Sequence, residues 1–236
     1  MKDVGELWLY WRDPQKDARW RIGSLSRGRE GYGFSYAPKE VLDRARQRGF
    51  FLLPEFPRPE QQYRAAYLFS TFSQRIPHPA RPDRQRIFQD WGVVDEDDAL
   101  HILGCSGGFQ LTDRLELCDA WGAEDLRRGP RCFRIAGQAY MPHARHGTTA
   151  DGAIQPDQPA LLERVDSEDP QAVQVLTEDR QRVGFVPKVY NEAVASLLDA
   201  GVRMTAAFRR LLLCPDHPRW VVEVDASTKE GSCRAA

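Results

Sequence analysis

Between residues 132 and 224 the chain runs through six short apolar stretches, 132–136, 160–165, 172–176, 182–186, 204–213 and 220–224. Only one helical stripe interrupts them: Ala193, Val194, Leu197 and Leu198, with Gly201 as its stop. Five or six short strands with a single helix leave few ways to bury apolar faces, and a small closed barrel is the simplest. Segment 143–159 is rich in Gly, Pro and Asp and reads as a long exposed loop, and the tail from 227 to 236 reads as disordered.

The first half has a different texture. Aromatic, strand-like runs at 7–11, 20–25 and 32–36 are separated by charged or Gly-containing turns, which predicts a small antiparallel sheet. Pro38, an apolar face of Val41, Leu42 and Ala45, and Gly49 predict a helix over 39–48, with Arg44, Arg46 and Arg48 on its solvated side. Prolines at 54, 57, 59, 77, 79 and 82 leave room for a short helix only between Gln61 and Gln74. Ile87, Phe88 and Trp91 before Gly92 predict another helix, and Asp95 is placed to cap one running through Leu103. The fold class is α+β: an N-terminal sheet with packed helices over 1–122, a linker at 123–130, and an OB-like barrel with one or two helices over 131–226.

Charge bounds the function. The 236 residues carry 33 Lys and Arg against 34 Asp and Glu, with 20 of each sign before Pro130 and 13 basic against 14 acidic after it. Neither half is the polycation that coats duplex DNA, so any contact with nucleic acid has to be local. Five cysteines without a CxxC pair fit neither a disulfide framework nor a zinc ribbon, and a reducing cytoplasm is the expected home. No apolar run approaches the ~20 residues that span a bilayer, and the acidic start MKDVGELWLYW is unlike a signal peptide.

Motifs for chemistry are sparse. Gly104-Cys105-Ser106-Gly107-Gly108 matches GxSxG, but helix-like residues precede Ser106 and strand-like ones follow, the reverse of a nucleophile elbow. His143 and His146 with Cys132 upstream do not complete a zinc site. Phosphate-binding glycine loops and an HExxH helix are absent from the sequence. A non-catalytic chain without cofactor or metal is expected.

The most informative stretch is Glu163-Arg164-Val165-Asp166-Ser167-Glu168-Asp169-Pro170-Gln171-Ala172-Val173-Gln174-Val175, then Val183-Gly184-Phe185-Val186-Pro187-Lys188. A strand enters an acidic turn, leaves through Ala-Val-x-Val and returns through VGFVP; on spacing alone Asp166 and Asp169 are turn caps. The stretch resembles the HIRAN domain, whose pattern runs E-P-x-N-P-x-D-x-x-A-V-x-V, then G-[YFH]-V-P-[RK] and a helix of small apolar residues. Phe133-Arg134-Ile135-Ala136-Gly137-Gln138-Ala139-Tyr140 resembles the family's first strand and its turn.

That resemblance implies binding of single-stranded DNA or a DNA 3′ end, of the kind met in repair, replication stress or defence. Tyr140 would stack on a base, Asp169 would take the terminal hydroxyl, and Lys188 would approach phosphate. Arg182 and Arg203 are further candidate contacts, and clustering of Arg180, Arg182, Lys188, Arg203, Arg209 and Arg210 around Asp169 would make a local positive funnel. The chain departs from the pattern where Asp166, Ser167 and Glu168 replace Asn, Pro and a stacking aromatic.

Residues 7–118 also resemble the N-terminal subdomain of HipA-type toxin kinases, through the 7–11, 22–25 and 34–36 runs, Leu52-Leu53-Pro54, Phe69, Phe72, Ser73, Gln74, Arg75, Ile76 and Pro77, and the Gly107-Gly108 turn. This resemblance implies an accessory without catalytic lobes, and as an alternative function a protein-interaction module or antitoxin-like regulator of a HipA-type kinase; a DNA-processing protein is a further expected partner.

Overall fold

The computed structural model describes residues 5–15, 18–141, 148–149, 152–212 and 218–227. They fall into two compact units that meet in sequence between Ala120 and Trp121. Among the described residues no helix is long and apolar enough to cross a membrane.

The first unit is a five-stranded antiparallel sheet in the order β4-β3-β2-β1-β5. Its strands are β1 (Glu6–Arg12), β2 (Arg19–Gly28), β3 (Gly31–Tyr36), β4 (Tyr63–Ala65) and β5 (Leu115–Asp119). Alternation puts Leu7, Leu9 and Trp11 of β1, Ile22 and Leu25 of β2, and Phe34 and Tyr36 of β3 into one buried cluster. Helices α1 (Lys39–Gln47) and α4 (Ala99–Ser106) pack on this sheet, α1 against β2 and α4 against β1 and β5. Phe56 stacks on Phe34 with ring centroids 4.2 Å apart and meets Tyr63, Phe69 and Phe72.

One expectation in this unit is met by a single turn and another is corrected. The short helix foreseen between Gln61 and Gln74 is the one-turn helix α2 (Ser70–Ser73), preceded by strand β4. Tyr63 pairs with Phe34 across the sheet and its hydroxyl takes the Arg58 N–H at 2.7 Å, so sheet pairing overrides the weak local helix signal. The helix after α3 (Arg84–Trp91) is capped by Asp98, not Asp95: Asp98 Oδ1 accepts the N–H groups of Leu100 and His101. Asp95 Oδ1 takes the N–H groups of Asp97 and Asp98 in the preceding turn.

The second unit begins with α5 (Ala123–Arg128), inside the segment expected to be a linker. Its acidic first turn and basic last turn complement the helix dipole, and fully buried Leu126 docks it against the barrel. Six antiparallel strands follow in the order β11-β10-β9-β12-β13-β6. They are β6 (Arg131–Arg134), β9 (Pro159–Arg164), β10 (Val173–Leu176), β11 (Arg182–Phe185), β12 (Thr205–Leu212) and β13 (Arg219–Asp225). A minimal hairpin, β7 (Thr148–Thr149) with β8 (Gly152–Ala153), lies in the segment foreseen as loop. Most of that loop's first part, with His143 and His146, lies outside the described residues, as does the tail from 228 onward.

The two ends of the six-stranded sheet meet. Ala136, just past β6, exchanges both backbone hydrogen bonds with Phe185 of β11, at 2.8 and 2.9 Å, closing the sheet into a barrel. Phe133, Ile135, Val173, Val175, Val183, Phe208, Trp220, Val222 and Val224 fill its interior. Helix α6 (Lys188–Asp199) packs against β9 and β10 with Tyr190, Asn191, Val194, Ala195 and Leu197 buried.

Candidate nucleic-acid interface

The acidic turn between β9 and β10 is organised around Asp169. Its Oδ1 accepts the Gln171 N–H at 2.9 Å, and its carbonyl accepts from Ala172 N–H and the Ser167 hydroxyl, each at 3.0 Å. Its Oδ2 accepts from the side-chain amide of Asn191 at 2.9 Å. Asp169 therefore caps its own turn and is also bonded to the first turn of α6. Arg164 holds the same turn from the other side: its two terminal nitrogens donate to the carbonyls of Pro170 and Ala172 while Nε donates to Asp199 at 2.9 Å. Asp166 and Glu168 stay exposed.

The barrel seam carries the aromatic groups. Gly137, in a left-handed conformation at φ 72°, turns the chain out of the seam into a 3-10 turn, Gln138–Tyr140. Gln138 is 1% exposed and accepts the Trp220 N–H at 2.9 Å, which anchors the turn. Tyr140 at its end is 85% exposed. Phe185, half-buried, lies against Gly137, where a Cβ would stand 3.4 Å from its ring. The Arg182 guanidinium sits 5.5 Å from the Phe185 ring centroid, and its Nε donates to Gln174 Oε1 at 2.8 Å.

Lys188 opens α6, three residues after Phe185 and three before Asn191, so the β11–α6 junction links the seam to the acidic turn. The Val186 N–H, donated to Val173 O at 2.9 Å, ties that junction to the strand leaving the turn. Tyr140, Asp169, Lys188 and Arg182 are thereby attached to one stretch of framework. Arg203 follows the C-terminal end of α6, whose last residue, Asp199, is joined through Arg164 to the Pro170 and Ala172 carbonyls of the turn.

The proposed funnel of cations is reduced to part of its members. Arg180 pairs with Glu163 at 2.9 Å, and Arg209 pairs with both Asp157 and Glu223. The hydrogen bonds that Arg209 donates, first to Glu223 and then to Asp157, raise its pKa. Among the described residues Arg182, Lys188, Arg203 and Arg210 make no ion pair.

Sequence reasoning named neither Phe185 nor Asn191 as a site residue. Phe185 falls at the [YFH] position of the resembled pattern, and Asn191 is legible only as part of a helix, an amide ahead of an otherwise small apolar face. Elsewhere, Ser106 ends α4 and precedes a turn and then β5, with its buried hydroxyl donating to Leu103 O and accepting from Gly108 N–H. The strand, serine, helix order of a nucleophile elbow is reversed there. Among the described residues no three His, Cys, Asp or Glu side chains are grouped to hold a metal.

No family model matches the chain, and no curated protein matches it. Solved structures do. The crystal structure of the HIRAN domain of human HLTF is similar at 15% identity and a TM-score of 0.33, covering 41% of this chain and 73% of that one. A structural-genomics protein from Lactobacillus plantarum is similar at 20% identity and a TM-score of 0.31, covering 41% of this chain and 99% of that one.

Proposed function

We propose that the C-terminal barrel is a non-catalytic nucleic-acid-binding module that takes the end of a single DNA strand. The observation that carries this reading is Tyr140: an aromatic ring left 85% exposed on a turn that is itself anchored by buried Gln138, beside the Phe185–Arg182 pair. Exposed aromatics on a rigid support stack on bases of any sequence, each base contributing roughly 1 to 3 kcal/mol.

Asp169 supplies the complementary end contact. A carboxylate can only accept hydrogen bonds, and each of its oxygens here takes one protein donor and keeps a further lone pair. It suits a terminal hydroxyl and repels a terminal phosphate. Lys188 and Arg182 fit the phosphates farther along the strand. Strand-end recognition of this kind serves repair, replication stress or defence.

The test is binding of labelled oligonucleotides at low and moderate salt, comparing 3′-hydroxyl with 3′-phosphate ends and the wild type with Asp169→Ala. Preference for the hydroxyl that disappears in the variant supports the reading. Absence of binding at low salt ends it. The exposed carboxylates of Asp166 and Glu168 beside the turn favour, as a second reading, a basic protein segment as ligand.

A further inference from the structure

Asn191 is 4% exposed, the only amide among the residues that α6 buries. Burying an amide in an apolar helix face is unfavourable unless its hydrogen bonds are made, and Ala at the same place would favour the helix more. Its Nδ2 is directed to Asp169 Oδ2, 22 residues away in sequence.

A free aspartate side chain turns about two torsions, and a carboxylate that must accept from a hydroxyl within 2.5 to 3.0 Å is most effective when that freedom is removed beforehand. Gln171 N–H fixes Oδ1 within the turn; Asn191 fixes Oδ2 to the helix. The fixing group is neutral. An arginine or lysine in its place would hold the carboxylate equally well but would offset the charge that makes it a strong acceptor. Arg164, the cation bonded to this turn, is directed to the Pro170 and Ala172 carbonyls and to Asp199, and none of these bonds involves the Asp169 carboxylate.

We propose that Asn191 is a positioning residue that sets the selectivity of the site for a terminal hydroxyl, by holding the Asp169 carboxylate in place without neutralising it. The assignment rests on the strand-end reading and adds to it the residue on which discrimination depends. Asn191 itself touches no ligand, so its effect belongs to the end group and not to the stacked bases or the phosphates.

The experiment measures affinities of the full chain for two oligonucleotides that differ only in a 3′-hydroxyl or a 3′-hydrogen end, for the wild type, Asn191→Ala and Asn191→Asp. The wild type favours the hydroxyl, and both variants lose roughly tenfold in that ratio, the scale of a hydrogen bond to a charged group. Affinity for the 3′-hydrogen end is unchanged. A purely structural anchor would weaken both oligonucleotides together, and that result, or an unchanged ratio in folded variants, overturns the assignment. Should Asn191→Ala fail to fold by circular dichroism, Asn191→Asp, which keeps the side-chain shape but replaces the donor by a repelling carboxylate, decides alone. A wild type that binds both ends equally removes the strand-end reading itself, a different failure from a selective wild type with indifferent variants.

Discussion

Gly184 lies so close to Ile135 that a β-carbon on it would stand 2.4 Å from Ile135 Cγ2, and 2.5 Å from the Ala136 carbonyl oxygen. The seam that closes the barrel therefore requires a residue without a side chain at this position of β11. The same approach brings Phe185 into register with Ala136 and sets up the turn that carries Tyr140.

Gly184→Ala is expected to force the seam apart. The atoms in its way include backbone, which cannot rotate aside as a side-chain end can, so the destabilisation is about 1 to 3 kcal/mol, the usual cost of overpacking. Chemical denaturation of the full chain measures it. Oligonucleotide affinity should fall as well, because Tyr140 and Phe185 lose their common support. A variant as stable as the wild type would show that the seam is open in solution.

Arg75 makes the corresponding clamp in the first unit. Its side chain is 3% exposed, and it donates to Thr71 O at 2.8 Å, to Gly108 O at 2.6 Å, and through both terminal nitrogens to the Asp113 carboxylate. Arg75→Met keeps much of the packing but strands these acceptors, with an expected loss of about 2 to 4 kcal/mol. Asp113→Asn, which keeps one acceptor and whose side chain is partly in water, should cost clearly less. Equal effects in urea unfolding would contradict the clamp.

Tyr36 gives the first unit an alkaline limit. Burial pushes its phenol from 10.0 to about 12, outweighing the Leu53 N–H that its oxygen accepts at 2.8 Å. Because the folded value is raised, the stabilisation is complete below pH 10.0 and is lost as pH rises from there through about 12, the window in which the unfolded chain ionises ahead of the folded one. Tyr36→Phe should abolish that alkaline loss, and at neutral pH should cost about 1 to 2 kcal/mol by leaving the Leu53 N–H without its acceptor. Thermal melts from neutral to alkaline pH check both signs.

Much of this architecture is legible in the sequence because it is local. Leu7, Leu9 and Trp11 alternate as a strand facing a core must, and Gly92 and Gly201 stop helices after apolar stripes. The failures arise where distant contacts override local preference. Tyr63 belongs to a strand only because Phe34 is there to pair with it. Residues 123–128 are helical because a single leucine, Leu126, finds a buried place against the barrel. In the candidate site Asp169, Tyr140, Phe185 and Lys188 fall on the resembled motif, whereas the pairing of Phe185 with Ala136 and the bond of Asn191 to Asp169 come from barrel closure and the docking of α6. No local spacing encodes either contact.

Tyr140 and Phe185 separate binding from stability most cleanly. Tyr140 is 85% exposed, so Tyr140→Ala should leave the unfolding midpoint unchanged, while removal of a stacking face weakens single-strand binding by roughly 1 to 3 kcal/mol. Phe185 is half-buried against Gly137 and beneath Arg182, so Phe185→Ala should lower both stability and affinity. Phe185→Tyr, which keeps the ring, should restore both. Arg182→Gln should reduce the dependence of affinity on salt because one phosphate contact is lost, while the preference for end chemistry remains that of Asp169. The pattern is measured by titrating one labelled strand at several salt concentrations for all four variants. If Tyr140→Ala binds as tightly as the wild type while Phe185→Ala does not, the strand lies over the seam but not over the turn, and the base-stacking role passes from Tyr140 to Phe185.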